Sequence, residues 1–282
     1  MPRRYQLFAM GTLLIWASSS IAGTHTRLGK NWERTSRFSI DQVQYSQYDT
    51  LLKKYVDRSG DVNYGAWQRS ATDLQALDHF LDHLSQADRR KLATHSAQLA
   101  FWINAYNAVT LKGILLEYPT TSITRHTSKL YGYNIWHDLL LLVGGSEYSL
   151  DHMEHQILRK MNEPRIHFAI VCASRSCPKL RDEAYLPGKL SEQLEDNTRT
   201  FFCDSRNFRY DPASRRMELS KILKWFGSDF GSGESQLLSR IADYLPTAAA
   251  QNFARGGRVR VFYLDYDWAL NDQKISADTK SP

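Results

Sequence analysis

Apolar residues recur at three- and four-residue spacing along most of the chain, the spacing that predicts helices. From Ile40 onward, Val43, Tyr45, Tyr48, Leu51, Leu52 and Tyr55 fall mostly on one face, and Ser59-Gly60-Asp61 ends the run. Val62-Asn63-Tyr64 reads as a short extended piece. A second helix covers about 73–84, with Leu74, Leu77, Phe80, Leu81 and Leu84 in its stripe. The third, about 96–117, differs in kind. Leu99, Phe101, Trp102, Ile103, Tyr106, Val109, Leu111, Ile114 and Leu115 leave it almost no polar face, so it belongs at the buried centre, and Tyr118-Pro119 stops it. Asn104 and Asn107 share one side of this rod, and buried amides must find partners, most simply in neighbouring backbone.

The second half mixes periods. Residues 139–143, Gly144-Gly145 and Glu147-Tyr148-Ser149 predict a β-hairpin with a Gly-Gly turn. A helix follows, capped by Ser149, with Leu150, Met153, Ile157, Leu158 and Met161 as its stripe and Glu154 inside that stripe. Residues 166–171 form a short β-branched run between Pro164 and a small polar segment, which predicts a buried strand with Cys172 at its exit. A helix over 190–202, a hairpin over 208–210 and 217–219, short helices at 220–226 and 237–245, and a strand at 259–263 complete the series. The expected fold is α+β, a mainly helical single domain with a small mixed or antiparallel sheet.

Composition changes this picture at the ends. Arg3 and Arg4, an apolar stretch over 7–16 and the small residues of Ser20-Ile21-Ala22 read as a signal peptide over 1–22, too short for a comfortable membrane span. No later stretch reads as a span, so the mature chain is expected to be periplasmic or secreted, with no stable membrane span after signal removal. Residues 23–37 read as a flexible lead-in, 38–272 as one domain and 273–282 as a polar tail. The net charge of +6 over 282 residues is mild and its cations are scattered among acids, which argues against nucleic acid as a partner.

Candidate chemistry narrows to the thiols. Gly227, Gly231 and Gly233 lack the Lys-Ser/Thr pair of a phosphate loop, and no G-x-S-x-G elbow is present. His152 and His155 stand three apart and could chelate, but no zinc-helix motif is complete, so neither metal nor cofactor is expected. A cysteine nucleophile needs a base, a group to orient the base and donors for the oxyanion. All nine histidines precede Cys172, which excludes a papain-like order. On a strand, His167 would point away from Cys172, which favours His155 as the base. Glu154, buried on its stripe, would orient it, and Arg175 would lower the Cys172 pKa. Three cysteines in an oxidising compartment equally suggest pairing, either Cys172 with Cys177 or, if Cys172 is a nucleophile, Cys177 with Cys203.

These residues fall into blocks that resemble the family called domain of unknown function 547. The blocks are Ala100-Phe101-Trp102-Ile103-Asn104-Ala105-Tyr106-Asn107-Ala108, then the run from Ser149 through Glu154-His155 to Arg159, then the run from Arg165 through Cys172 to Pro178. Leu219-Ser220-Lys221-Ile222 and Tyr266-Asp267-Trp268-Ala269-Leu270-Asn271 resemble later blocks. The resemblance implies no settled activity, but it marks Asn104, Asn107, Glu154, His155 and Cys172 as site residues. Two functions stand. One is a thiol-dependent hydrolase or acyl transferase acting on a small molecule or peptide, with Cys172, His155 and Glu154 catalytic and Asn104, Asn107 and Arg175 stabilising. The other is a non-catalytic periplasmic binding domain with a structural Cys172/Cys177 disulfide and a satisfied Glu-His-Asn network.

Overall fold

The computed structural model describes residues 25–126 and 134–278, so the signal segment read at 1–22 lies outside the described residues. The architecture is α+β and mainly helical, with two small mixed three-stranded sheets. A strand β1 (Thr26–Leu28) opens the described chain, followed by α1 (Ser46–Tyr55), α2 (Tyr64–Gln68), α3 (Ala71–Ser85) and α4 (His95–Glu117). The stretch expected to be a flexible lead-in thus contributes a strand, because β1 pairs in parallel with β2 (Leu139–Val143). The predicted hairpin follows: β2 turns at Gly144 (φ 58°) and Gly145 (φ 86°) into antiparallel β3 (Ser146–Tyr148). Two positive φ values are what a two-residue hairpin turn needs, and glycine adopts them without a Cβ clash.

The predicted central helix is α4. Thr94 caps it by accepting from the Ala97 N–H, and residues on every side of it are buried. By length and composition α4 is apolar enough to cross a bilayer, a property the sequence reading did not assign to it; 94% of its most apolar window lies inside the protein. It is the axis of a first core that includes Tyr48, Trp67, Phe80, Leu84 and Leu141.

The second half carries α5 (Leu190–Cys203), β4 (Phe208–Asp211), β5 (Arg216–Leu219), α6 (Lys221–Trp225), α7 (Glu234–Ala242), α8 (Ala248–Arg255), β6 (Arg260–Tyr263) and α9 (Gln273–Asp278). β4 and β5 are antiparallel, and β6 joins β5 in parallel. Around them Phe201, Phe202, Phe208, Met217, Leu219 and Ile241 form a second core. The pattern did not announce α8, which Thr247 caps, nor α9, which begins inside the expected polar tail. Gln273 anchors α9 by donating to the Tyr55 and Asp61 carbonyls.

The strand predicted over 166–171 is absent. Glu163 caps a 3-10 turn at Pro164–Phe168 by accepting from the Arg165 N–H, and Pro164 suits the first turn. Beyond it the Ala169 and Ile170 N–H groups still bond back to the Ile166 carbonyl, and no strand of the described residues pairs with 169–171. Side-chain amides replace one. Asn107 donates to the Ala169 carbonyl (3.0 Å) and accepts from the Val171 N–H (2.9 Å), and Asn197 donates to the Phe168 carbonyl (2.8 Å). The segment lies between the two cores: Phe168 packs in the second, and Ile166, Ala169, Ile170 and Val171 pack in the first.

One turn is held by a close approach. Gly60 (φ 84°) lies against the Leu180 backbone, where a Cβ would meet the Leu180 nitrogen at 2.8 Å. Gly60→Ala combines left-handed strain with a clash against backbone, so we expect a stability loss of about 2 kcal/mol or more. Urea unfolding of the variant checks this, and a loss under about 0.5 kcal/mol would show that the turn can shift freely.

Candidate functional site

The helix predicted after the hairpin forms, but not as an α-helix. Ser149 accepts from the His152 N–H, residues His152–Ile157 wind as a π-helix, and a 3-10 turn, Leu158–Met161, ends at Asn162 in the left-handed region. The wider turn breaks the 3.6-residue stripe. Met153 and Ile157 stay buried, while Glu154 is half-buried and lines a cavity of about 160 Å³. Aromatic side chains wall this cavity: Tyr106 from α4, Trp136, Trp225, Phe226, Tyr266 and Trp268. Glu154, His167, Cys172 and Cys177 bring its polar atoms. Tyr106 donates to Glu154 Oε2 at 3.3 Å. Burial raises the Glu154 pKa to about 7, with a further push from Cys177, against the lowering effects of Tyr106 and Arg159.

The thiols come together by a tight turn. Ala173 takes a left-handed conformation (φ 60°), and the Cys177 N–H closes the turn on the Ser174 carbonyl at 3.0 Å. This brings the Cys177 sulfur to the Cys172 N–H, which donates to it at 3.1 Å. The hydroxyls of Ser174 and Tyr266 each stand 3.2 Å from the same sulfur. Ser174 has one hydroxyl proton; given to Tyr266 (2.9 Å), it leaves the Tyr266 proton for a sulfur. Burial opposes a thiolate at Cys177, but hydrogen bonding from Cys172 and from the linked Ser174–Tyr266 hydroxyls outweighs it and lowers its pKa to about 6. Cys172 moves the other way, raised by its hydrogen bond to Cys177 and by burial. The surrounding donors thus favour a thiolate on Cys177 over one on Cys172.

The histidines exchange places relative to the sequence expectation. The argument for His155 assumed a strand; on the 3-10 turn the alternation does not apply, and His167 lines the cavity with Cys172. His155 is not among the lining residues. Its Nδ1 meets Arg159 at 3.2 Å and its Nε2 stands 3.7 Å from Asp151. His167 Nε2 is 2.8 Å from Asp229, and its ring stacks on Phe226 at 4.3 Å. Burial pushes the His167 pKa down to about 4 against the pull of Asp229, so the ring is neutral at pH 7. Asp229 is also gripped by both arms of Arg159, at 2.7 Å each.

The remaining expectations sort cleanly. Asn104 donates to the Tyr185 carbonyl and accepts from the Tyr185 N–H, and Asn107 does the same for Ala169 and Val171, so both amides serve as struts to backbone. Arg175, expected to lower the Cys172 pKa, lines a different cavity, and that pKa rises. Cys172, Cys177 and Cys203 are all free, so neither the Cys172/Cys177 nor the Cys177/Cys203 disulfide is formed; Cys203 is exposed at the end of α5. Sequence reasoning missed Tyr106, Ser174, Asp229 and Tyr266. Three of these sit inside the quoted blocks, and Asp229 lies in the glycine-rich loop set aside for lacking phosphate-loop residues.

Fold and site together define a mainly helical α+β protein with a two-thiol, one-carboxylate cavity. Residues 90–202 match the family model described as protein of unknown function, DUF547, which supports the resemblance over that span. No curated protein and no solved structure matches the chain. The matched span supplies Tyr106, Glu154, His167 and both thiols; beyond it, Ile222, Tyr266 and Trp268 come from the later blocks, and Trp225 and Phe226 from outside them.

Proposed function

We propose that the chain is a thiol-dependent hydrolase or acyl transferase, exported as its first 22 residues suggest, acting on a small molecule or peptide that places an apolar group in the aromatic cavity. The observation that carries this reading is the Cys177 sulfur. It is met by one backbone N–H and two hydroxyls at 3.1–3.2 Å, in the same cavity as a carboxyl that titrates near neutrality. A thiolate is the attacking form, so the nucleophile's part assigned by sequence to Cys172 falls to Cys177, with Cys172 as its hydrogen-bonding neighbour. The sulfur attacks the acyl carbon and the bond to the leaving group breaks. Protonated Glu154 gives that group its proton. Water or an acceptor then attacks the thioester, its proton passes to Glu154, and the thiolate is restored. His167, neutral and tied to Asp229, buttresses the cavity wall.

The test is alkylation by iodoacetamide across pH 5–9, mapped by mass, together with incubation with p-nitrophenyl butyrate. Cys177 is expected to titrate with an apparent pKa near 6. At pH 6.5 it should react about fivefold faster than an ordinary thiol of pKa about 8.5, its larger thiolate fraction being partly offset by lower intrinsic nucleophilicity. A butyryl adduct should form on its sulfur and be lost in Cys177→Ser. Ordinary titration of both thiols, or an adduct that persists in Cys177→Ser, would sink the reading.

A further inference from the structure

Behind the loop that carries the thiols lies a second cavity, of about 210 Å³, with the opposite chemistry. Cys177 and Pro178 line both cavities, so one short segment is the partition between them. The first is walled by aromatic rings. The second is faced by Arg58, Arg175, Lys179 and Arg206, against only Asp61 and Asp204 among acids. Asp204 is committed to the Arg206 guanidinium, at 2.5 Å. Arg58 and Lys179 form no ion pair among the described residues.

Two polar atoms here lack partners. Arg175 Nε is buried without a hydrogen bond, with the Asp267 carboxylate 3.7 Å away. Asn207 is only 4% exposed, and its side-chain oxygen is also unpartnered. Leaving a buried donor or acceptor unpaired costs about 1–3 kcal/mol, so both atoms favour a ligand that can meet them. The requirements differ in sign. The cations and Arg175 Nε need acceptor oxygens, whereas the Asn207 oxygen needs a donor. Chloride, sulfate and an ionised carboxylate supply no donor. A hydrogenphosphate supplies acceptor oxygens and one O–H together. The cavity has several times the space that a single water needs.

We propose that this second cavity binds a phosphate group, its oxygens taken by Arg58, Arg175 and Lys179 and its hydroxyl proton accepted by Asn207 Oδ1. The group is free hydrogenphosphate, because a phosphate monoester has a second pKa of about 6 and carries no such hydroxyl at pH 7. The site is independent of the acyl-transfer reading, since none of these four residues lines the first cavity.

Thermal unfolding of the full chain, followed by tryptophan fluorescence at pH 7, tests the proposal. Sodium phosphate and sodium sulfate are titrated separately, with ionic strength held constant by sodium chloride. A saturable rise in Tm with phosphate, exceeding that with sulfate, is the expected result. In the Arg58→Gln/Lys179→Gln double variant the phosphate midpoint should move up by about tenfold or more, while the unliganded Tm stays near wild type because Arg58 is exposed and Lys179 is only partly buried. Repeating the titration with glycerol 3-phosphate, whose phosphate group carries no O–H at pH 7, should give a higher midpoint than inorganic phosphate; an equal or lower midpoint overturns the part assigned to Asn207 Oδ1. Sulfate acting as strongly as phosphate, or a double variant that responds like wild type, overturns the proposal.

Discussion

Asn107→Leu is expected to destabilise the protein by about 4 kcal/mol, because one change strips two buried backbone groups of their partners at once. The Ala169 carbonyl and the Val171 N–H both bond to this amide, and both residues are at most 3% exposed. Each orphaned group costs about 1–3 kcal/mol, and leucine fills most of the vacated space without offering a replacement bond. The same segment leads into Cys172, so the turn that gathers the thiols should loosen with it. Urea unfolding measures the first effect, and the Cys177 alkylation rate at pH 6.5 measures the second. A stability loss below about 1 kcal/mol would mean that water can stand in for the amide, and that 169–171 is less tightly enclosed than its burial indicates.

Glu154→Gln is expected to gain stability relative to wild type as pH rises, by about 3 kcal/mol between pH 4 and pH 8. The Glu154 carboxyl has a folded pKa of about 7 against an ordinary value of 4.5. The folded state therefore binds the proton more tightly than the unfolded chain does. The stabilisation tied to that proton is complete below about pH 4.5 and is lost as pH climbs through 7. The gap between the two values corresponds to about 3 kcal/mol. Glutamine keeps the shape and has no proton to lose, so the variant's advantage should grow across this window and level off above it. Unfolding free energies of both proteins at pH 4, 5.5, 7 and 8 check the prediction. A difference that stays constant with pH would show that Glu154 ionises freely, which would also remove the proton carrier from the proposed mechanism. If the mechanism holds, the variant should lose turnover but still form the butyryl adduct on Cys177.

The hydrophobic pattern by itself determined the helices α1, α3, α4 and α5, both hairpins, the α+β class and the central place of α4. These depend on contacts a few residues apart, where periodicity carries the information. It also marked Glu154 as a costly carboxyl on a buried stripe and the two asparagines as amides in need of backbone partners. The conformation of 164–178 was decided by tertiary structure alone. A run of β-branched residues satisfies its backbone equally well against a strand or against side chains, and the partners here are Asn107 and Asn197, distant in sequence. The choice of histidine followed that conformation, since strand alternation has no meaning on a 3-10 turn. The location of the charge followed it as well. A thiol pKa is set by the donors within hydrogen-bond reach, and Tyr266 comes to Ser174 and Cys177 across about ninety residues of chain. No local spacing records that approach, and it favours the thiolate on Cys177 over Cys172.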